Sequence, residues 1–490
     1  MQHSKKMKKK LIITCIAAAF LVCSCNKYLD VLPKTQIPEE ALFDSEQGFK
    51  DALAGVYINA KNENIYGRQL SYGAIESLIS SWDVSSGTLE QQMGLFNYQD
   101  EKVTAVFNGT FSQQYRTIAH INQILENLES KRAVLKTKNM YELVKAECLA
   151  LRAYLHFDLI RLYGPMPLEP SKGNQLAYVT TFGKGINEHI PYDQFKLRIF
   201  QDLKDAETLL KPFDPIIKYS LTELRRPNTG DFFPDDTYFA YRPLRMNYYA
   251  VKALQARAHL WYGEKDLAFA AASEVIEAKD SNGAQKFKLG TGADFTAKNF
   301  VLTGEHIFGL YENNMNKTYT NYFGSGMYRK GTTVTTISRD LYGNTGTDMR
   351  EASLWSLITL TNGSKYYVIS KYMPLELTAT SIDNDYKQIP MLRISEMYLI
   401  AAEAAPFAQG IEYFKQFRAA RNISQLAVPQ NEPELNNQIL KEYRKEFYAE
   451  GQAFFAFKRT NAPKSQILFV PTAATVNYLL PMPTVEITNQ

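Results

Sequence analysis

The chain has 490 residues, of which 45% are apolar and 22% charged, the proportions of a folded globular protein rather than a disordered one. Its net charge of +4 rests on Lys5, Lys6, Lys8, Lys9 and Lys10, and without those five lysines it falls to about −1. A near-neutral body has no net positive charge to neutralise phosphates, so nucleic acid is not an expected partner, although a local basic patch is compatible with the count.

Residues 1–24 have the form of a secretory signal. The lysine cluster precedes an unbroken apolar run, Leu11 to Val22, which is too short to span a bilayer. Leu21-Val22-Cys23-Ser24-Cys25 then resembles a bacterial lipobox, with small Ser24 before Cys25, so Cys25 is the expected lipidation site. A lipid there would anchor the protein to a membrane without spanning it. Cys15 and Cys23 would leave with the signal, and Cys148 would remain as a buried small hydrophobe with no disulfide partner. Residues 25–44, with Pro33 and Pro38, read as a tether, and 45–490 as a single body. No later apolar run is long enough for a transmembrane helix.

The body begins with a helical pattern over about 45–60, where Phe49, Leu53 and Tyr57 recur every fourth residue. A second stripe over about 111–129 contains Tyr115, Ile118, Ile121, Leu125 and Leu128. A third helix, about 140–163, is expected to stop at Gly164-Pro165, because Gly suits a helix cap and Pro cannot continue the helix. Phe195, Ile199, Leu203, Ala206 and Leu210 mark another. The segment 245–279 reads as two helices about a turn at Gly263-Glu264-Lys265-Asp266. Ala250, Ala253, Ala256, Ala268 and Ala272 would let those two helices pack closely, the logic of a tetratricopeptide hairpin. A second such pair is expected over 391–421, with a last helix over about 434–452. The expectation is therefore a predominantly α body, with helix pairs at about 111–163, 193–279 and 391–452. Loop-rich stretches at about 61–110 and 283–390 would carry the ligand region, since loops of that length are usually functional. Within them, 330–340 and 364–372 have β character.

Catalytic patterns are absent. His120, His156, His189, His259 and His306 are scattered, and there is no HExxH, nucleophile elbow, P-loop or GxGxxG. Neither enzyme activity nor a cofactor is expected, and a surface hydrolase would lack its motif. Asp383-Asn384-Asp385 could offer oxygens to a structural Ca²⁺ or be a plain polar loop. Binding residues are better represented. Trp82 and Asp83 lie in a polar loop, with Tyr66, Tyr72 and Tyr98 nearby in sequence. A second cluster contains Tyr311, Asn313, Asn314, Tyr319, Asn321, Tyr322, Phe323 and Tyr328. Aromatic faces stack on the C–H face of a sugar while Asn and Asp bond its hydroxyls. The same surface could grip a peptide, or simply anchor the loops. Trp82, Asp83, Tyr319 and Tyr322 are the candidate ligand residues.

Several blocks together carry a family resemblance. Leu151-Arg152-Ala153-Tyr154, Phe157-Asp158-Leu159 and Leu162-Tyr163-Gly164-Pro165-Met166-Pro167 resemble a signature of SusD/RagB-like lipoproteins. So do the runs from Tyr249 to Arg257 and from Ile389 to Ala404, then Glu442-Tyr443-Arg444-Lys445-Glu446, Glu450-Gly451 and Leu480-Pro481-Met482-Pro483. Ala453 and Ala456 stand where that family often has Arg and Asp, and 401–421 lacks its longer inter-helix loop. The resemblance implies four tetratricopeptide-like helix pairs plus a loop-rich region with minor β structure. It also implies a non-catalytic protein on the outer face of the outer membrane, partnered by a SusC-like TonB-dependent β-barrel. The implied cargo is a glycan or, in some branches, an oligopeptide. No ligand residue transfers by motif.

Overall fold

Four of the ten long helices among the described residues start where a side chain satisfies backbone N–H groups that lack an intrahelical acceptor. In the computed structural model, which describes residues 39–169, 173–373, 387–483 and 486, Ser45 opens α1 (Glu46–Ala60) by accepting from the Gly48 N–H. Asp100 opens α2 (Glu101–Ser130) by accepting from the N–H groups of Lys102 and Val103. That cap starts α2 ten residues before the expected boundary at 111, and Val103 and Phe107 extend its buried stripe upstream. α3 (Met140–Tyr163) and α4 (Tyr192–Leu210) follow. Gly164 ends α3 in an extended conformation rather than a left-handed one. Glycine is needed there for close approach, because a Cβ would lie 2.5 Å from the Ile160 carbonyl oxygen.

Asn247 caps α5 (Tyr248–Trp261), which turns back into α6 (Lys265–Ile276). α7 (Ile394–Ala404) and α8 (Phe407–Ala420) form the next pair, and α9 (Glu432–Glu446) and α10 (Gln452–Arg459) close the series. Consecutive helices pack on one another from α1 to α8, giving four pairs in which each chiefly contacts its chain neighbours. Ala250, Ala253, Ala256, Ala268 and Ala272 are all buried where α5 and α6 meet and where α6 packs on α7. Cys148 is buried and free. The helix expected at 434–452 ends at Glu446, and a further helix, α10, begins at Gln452. Gly451 takes a left-handed φ of +76°, and a Cβ there would meet the Leu70 carbonyl oxygen at 2.3 Å.

The strands are short: β1 (Asn174–Leu176) with β2 (Ile190–Pro191), β3 (His306–Tyr311) with β6 (Gln388–Arg393), and β4 (Trp355–Thr359) with β5 (Lys365–Ile369), each pair antiparallel. Residues 391–393, expected to be helical, belong to β6. Pro390 lacks an N–H and biases Ile389 to extended backbone, and the pair Leu310–Ile389 sets the register. The expected β character at 364–372 appears as β5. That at 330–340 does not, and Thr336–Leu341 is instead a π-helical turn. β5 finds β4 as its hairpin partner, whereas Val334 is exposed and its run is not in a strand pair. No helix among the described residues is long and apolar enough to cross a membrane. The expected signal, lipidation and most of the tether residues lie outside the described part of the chain, as does Asp383-Asn384-Asp385.

The blocks that carried the family resemblance meet in the interior as paired charges. Arg152 of α3 holds Asp202 of α4 at 2.8 Å, and Arg257 of α5 holds Glu396 of α7 at 2.6 Å. Farther on, Glu446 accepts from three buried arginines: Arg350 at 3.0 Å, Arg393 at 2.8 Å and Arg421 at 2.7 Å. Asp348 and Glu442 also hold Arg350, Glu305 also holds Arg393 and Arg421, and Glu450 bonds both Arg393 and Lys371. Burial by itself would raise Glu442, but the cations of Lys445 and Arg350 overcome it and hold its carboxyl at about 2. The stability this pairing contributes is fully present above the ordinary carboxyl value of 4.5 and is lost as pH falls through about 2. Urea unfolding across that window should show a midpoint falling steadily with acid, and a flat profile would contradict the pairing.

Candidate functional site

The segment 61–73 folds tightly upon itself after α1. The Gly67 and Leu70 N–H groups bond the Asn62 and Ile65 carbonyls, and a Cβ on Gly67 would lie 2.1 Å from the Lys61 carbonyl oxygen. This turn projects Tyr72 inward, with its hydroxyl donating to the Gly67 carbonyl at 2.5 Å. From the far side of the sequence, a helical turn at Met315–Thr318 runs into the π-helical turn Tyr319–Gly324, a widened geometry often found at functional sites. The two segments meet as one aromatic cluster. Tyr72 packs against Tyr322, Phe323, Tyr328 and Tyr372, with ring centroids 5.3–5.8 Å apart. Such contacts add about 0.5–1.5 kcal/mol each beyond simple burial.

The outer edge of this cluster opens into a cavity of about 270 Å³ between the two segments. Tyr322 stands at its side, half-buried, stacked on Tyr328 at 5.8 Å with the Arg68 guanidinium 4.7 Å from its ring centre. Its hydroxyl donates to Glu63 Oε1 at 2.8 Å. Burial, and then the bond to the Glu63 carboxylate, raise its pKa, so the phenol stays protonated at neutral pH. Lys61, Glu312, Asn314, Thr318 and Asn321 supply polar groups around the cavity. Lys61 Nζ lies 3.6 Å from Glu312, whose other oxygen accepts from the Asn314 N–H at 2.7 Å. The arrangement offers one held aromatic ring and a ring of donors and acceptors, which suits a polyhydroxylated or peptidic ligand. Among the described residues, no group of three or more His, Cys, Asp or Glu side chains is placed to hold a metal ion.

The four candidate residues separate in the structure. Tyr322 lines the cavity, and Tyr319 stacks on Phe323 just behind that wall, with centroids 6.0 Å apart. Trp82 does not present its ring to a ligand. It is 3% exposed, packs on Phe323, Tyr328 and Tyr448, and donates its indole N–H to the Tyr72 carbonyl at 2.9 Å. Trp82 is therefore the floor of the aromatic cluster, held there by its packing on rings distant in sequence. Asp83 is a clasp between loops: its backbone N–H donates to the Arg329 carbonyl, while its carboxylate accepts from Lys330 Nζ at 2.9 Å and the Gly331 N–H at 2.5 Å. Tyr66 and Tyr98 point elsewhere, to Asp158 and to the Asn477 carbonyl. In the sequence nothing distinguishes Glu63, Lys61 and Glu312 from other surface charges. His156 is structural: its Nδ1 pairs with the Arg152 carbonyl, its Nε2 accepts from the Val179 N–H, and burial pulls its pKa down to about 3.

This predominantly α arrangement matches solved structures of the SusD superfamily. The solved SusD homologue of Bacteroides thetaiotaomicron matches with a TM-score of 0.66 at 16% identity, over 93% of this chain and 97% of its own. A SusD-like carbohydrate-binding protein of Bacteroides vulgatus matches with a TM-score of 0.62 at 18% identity, over 85% and 83%. A family model described as starch-binding associating with outer membrane covers residues 27–223, and the SusD family model covers 310–469. The chain belongs to the SusD/RagB-like family. A SusD-like protein of Formosa agariphila is 28% identical over 171 residues, which span 33% of this chain and only 31% of that relative.

Proposed function

We propose that this protein is a non-catalytic, lipid-anchored receptor on the outer-membrane surface, which captures glycans and passes them to a SusC-like TonB-dependent β-barrel. In this reading residues 1–24 are removed as a signal, Cys25 carries the lipid, 25–44 form the tether and 45–490 the single binding body. The observation that carries it is Tyr322, a ring held on the wall of a cavity that also presents Lys61, Glu63, Glu312, Asn314 and Asn321, groups that bond hydroxyls. Family membership and a solved neighbour described as carbohydrate-binding support the class of cargo. Glu63 and Glu312 already accept bonds from Tyr322 and Asn314, which suits recognition rather than bond cleavage.

Calorimetric titration against a panel of neutral oligosaccharides tests this directly. Tyr322→Ala is expected to weaken the bound glycan by roughly 2- to 10-fold, the worth of one stacked ring, with a lowered melting temperature from the lost contacts to Tyr72 and Tyr328 but a folded protein. No binding by any glycan, or an unchanged affinity in the variant, would remove the cavity from consideration. Oligopeptide cargo is the alternative, favoured by the charges of Lys61, Lys317, Glu63 and Glu312 around the cavity. Mass spectrometry of co-purified cargo separates the two.

A further inference from the structure

A second and larger cavity, of about 550 Å³, lies between the π-helical turn at Thr336–Leu341, α9 and the segment that follows α10. Its walls are chiefly apolar, with Leu341, Leu426, Leu440, Phe457 and Leu468 among them. None of its lining residues belongs to the Tyr322 cavity. Arg444 also lines it and is only 1% exposed. Nη1 of Arg444 donates to Ser81 Oγ at 2.7 Å and Nη2 to the Ile79 carbonyl at 3.0 Å, but the buried Nε–H has no acceptor among the described residues. A buried charged donor left without an acceptor is costly and calls for a partner.

The charges at the mouth point the same way. Lys441 is exposed and forms no ion pair among the described residues. The other ions there are engaged: Arg444 with the buried Glu76 at 3.6 Å, Lys445 with Glu442 at 2.8 Å, and Asp340 with Arg339 at 2.6 Å, which leaves Lys441. The unneutralised charge facing the cavity is therefore positive. One water could accept from the Arg444 Nε–H, but it fills only about 30 Å³ and leaves the apolar walls wet. The cavity falls within the range of roughly 300–1,000 Å³ found for small-molecule sites, which are mostly apolar with a few placed polar groups.

We infer that this cavity binds a small amphipathic carboxylate, with its apolar chain among Leu341, Leu440, Phe457 and Leu468 and its anionic end toward Arg444 and Lys441. The site is independent of the glycan cavity, and its test does not depend on that reading. The probe is decanoate, titrated into the full chain below its micelle concentration, with decanol as the uncharged control of similar length. Decanoate is expected to bind saturably with one molecule per chain and at least ten-fold more tightly than decanol. Lys441→Glu, at an exposed position, should weaken decanoate at least five-fold and leave decanol unchanged. Leu426→Trp, which fills the cavity from a half-buried position, should remove binding of both while the melting temperature holds. Absence of saturable binding to the unmodified chain would overturn the inference, whether the cavity stays empty or is filled by another segment of the protein. Equal affinity for decanoate and decanol, or binding untouched by both substitutions, would overturn it as well.

Discussion

Glu446→Ala is expected to destabilise the protein by about 3–5 kcal/mol, the cost of removing one partner from a buried ion cluster. Arg350, Arg393 and Arg421 all donate to this carboxylate, and each is 3% exposed or less. Without it, three buried guanidinium groups share one fewer negative charge. The remaining carboxylates, Asp348, Glu442, Glu305 and Glu450, keep each arginine partly satisfied, so the loss should fall short of three separate bonds. Glu446→Gln should recover part of the loss, because an amide still accepts through its oxygen but carries no charge. Equilibrium urea unfolding measures both. A loss under about 1 kcal/mol for the alanine variant would mean the cluster does not act as a unit.

Trp82→Ala should destabilise the protein by a similar amount, about 3–5 kcal/mol, as large aromatic-to-alanine changes in cores do. The ring fills the floor beneath Phe323 and Tyr328, and its indole N–H satisfies the Tyr72 carbonyl. Trp82→Phe keeps most of the packing and leaves that carbonyl unpaired, so a smaller loss of about 1–3 kcal/mol is expected. The Phe variant should bind glycan within about two-fold of the unmodified protein, in contrast to Tyr322→Ala. An alanine variant of normal stability that loses binding would instead return Trp82 to the ligand surface. Measuring stability and affinity on the same preparations separates the two roles.

The aromatic clusters also show where sequence reading stops. Tyr72, Trp82, Tyr322 and Tyr328 could all be picked out as loop aromatics, and the structure does bring them together. Which ring faces a cavity and which lies beneath it depends on how segments distant along the chain pack. Glu63 and Tyr322, for example, bond across 259 positions. No local pattern contains that information. The same holds for Arg444, whose run reads as part of a helix and a family block. Only the packing of α9 against residues 79–81 leaves its Nε–H without an acceptor beside a cavity.

The helices themselves were legible because their cause is local. Apolar residues recurring every three or four positions place one face toward a core, and a capping side chain or a glycine marks the ends. The α3 boundaries and the α5–α6 turn follow from such signals, while the start of α2 is set by a cap at Asp100 that lies upstream of its most regular apolar stripe. The strand at 388–393 escaped because a β-strand needs a partner, and its partner lies some eighty residues earlier. Family blocks were legible for a related reason: Arg152, Arg257, Arg393 and Glu446 are interior ions whose exact chemistry the scaffold requires. By itself, then, the amino-acid sequence determined the opening charge asymmetry, the helix pairs and the family. The tertiary structure decided that Trp82 supports and Tyr322 lines the cavity, and that Arg444 faces a second one. Helix formation is governed by neighbours a few residues apart, whereas exposure is governed by contacts that close only when the whole chain has folded.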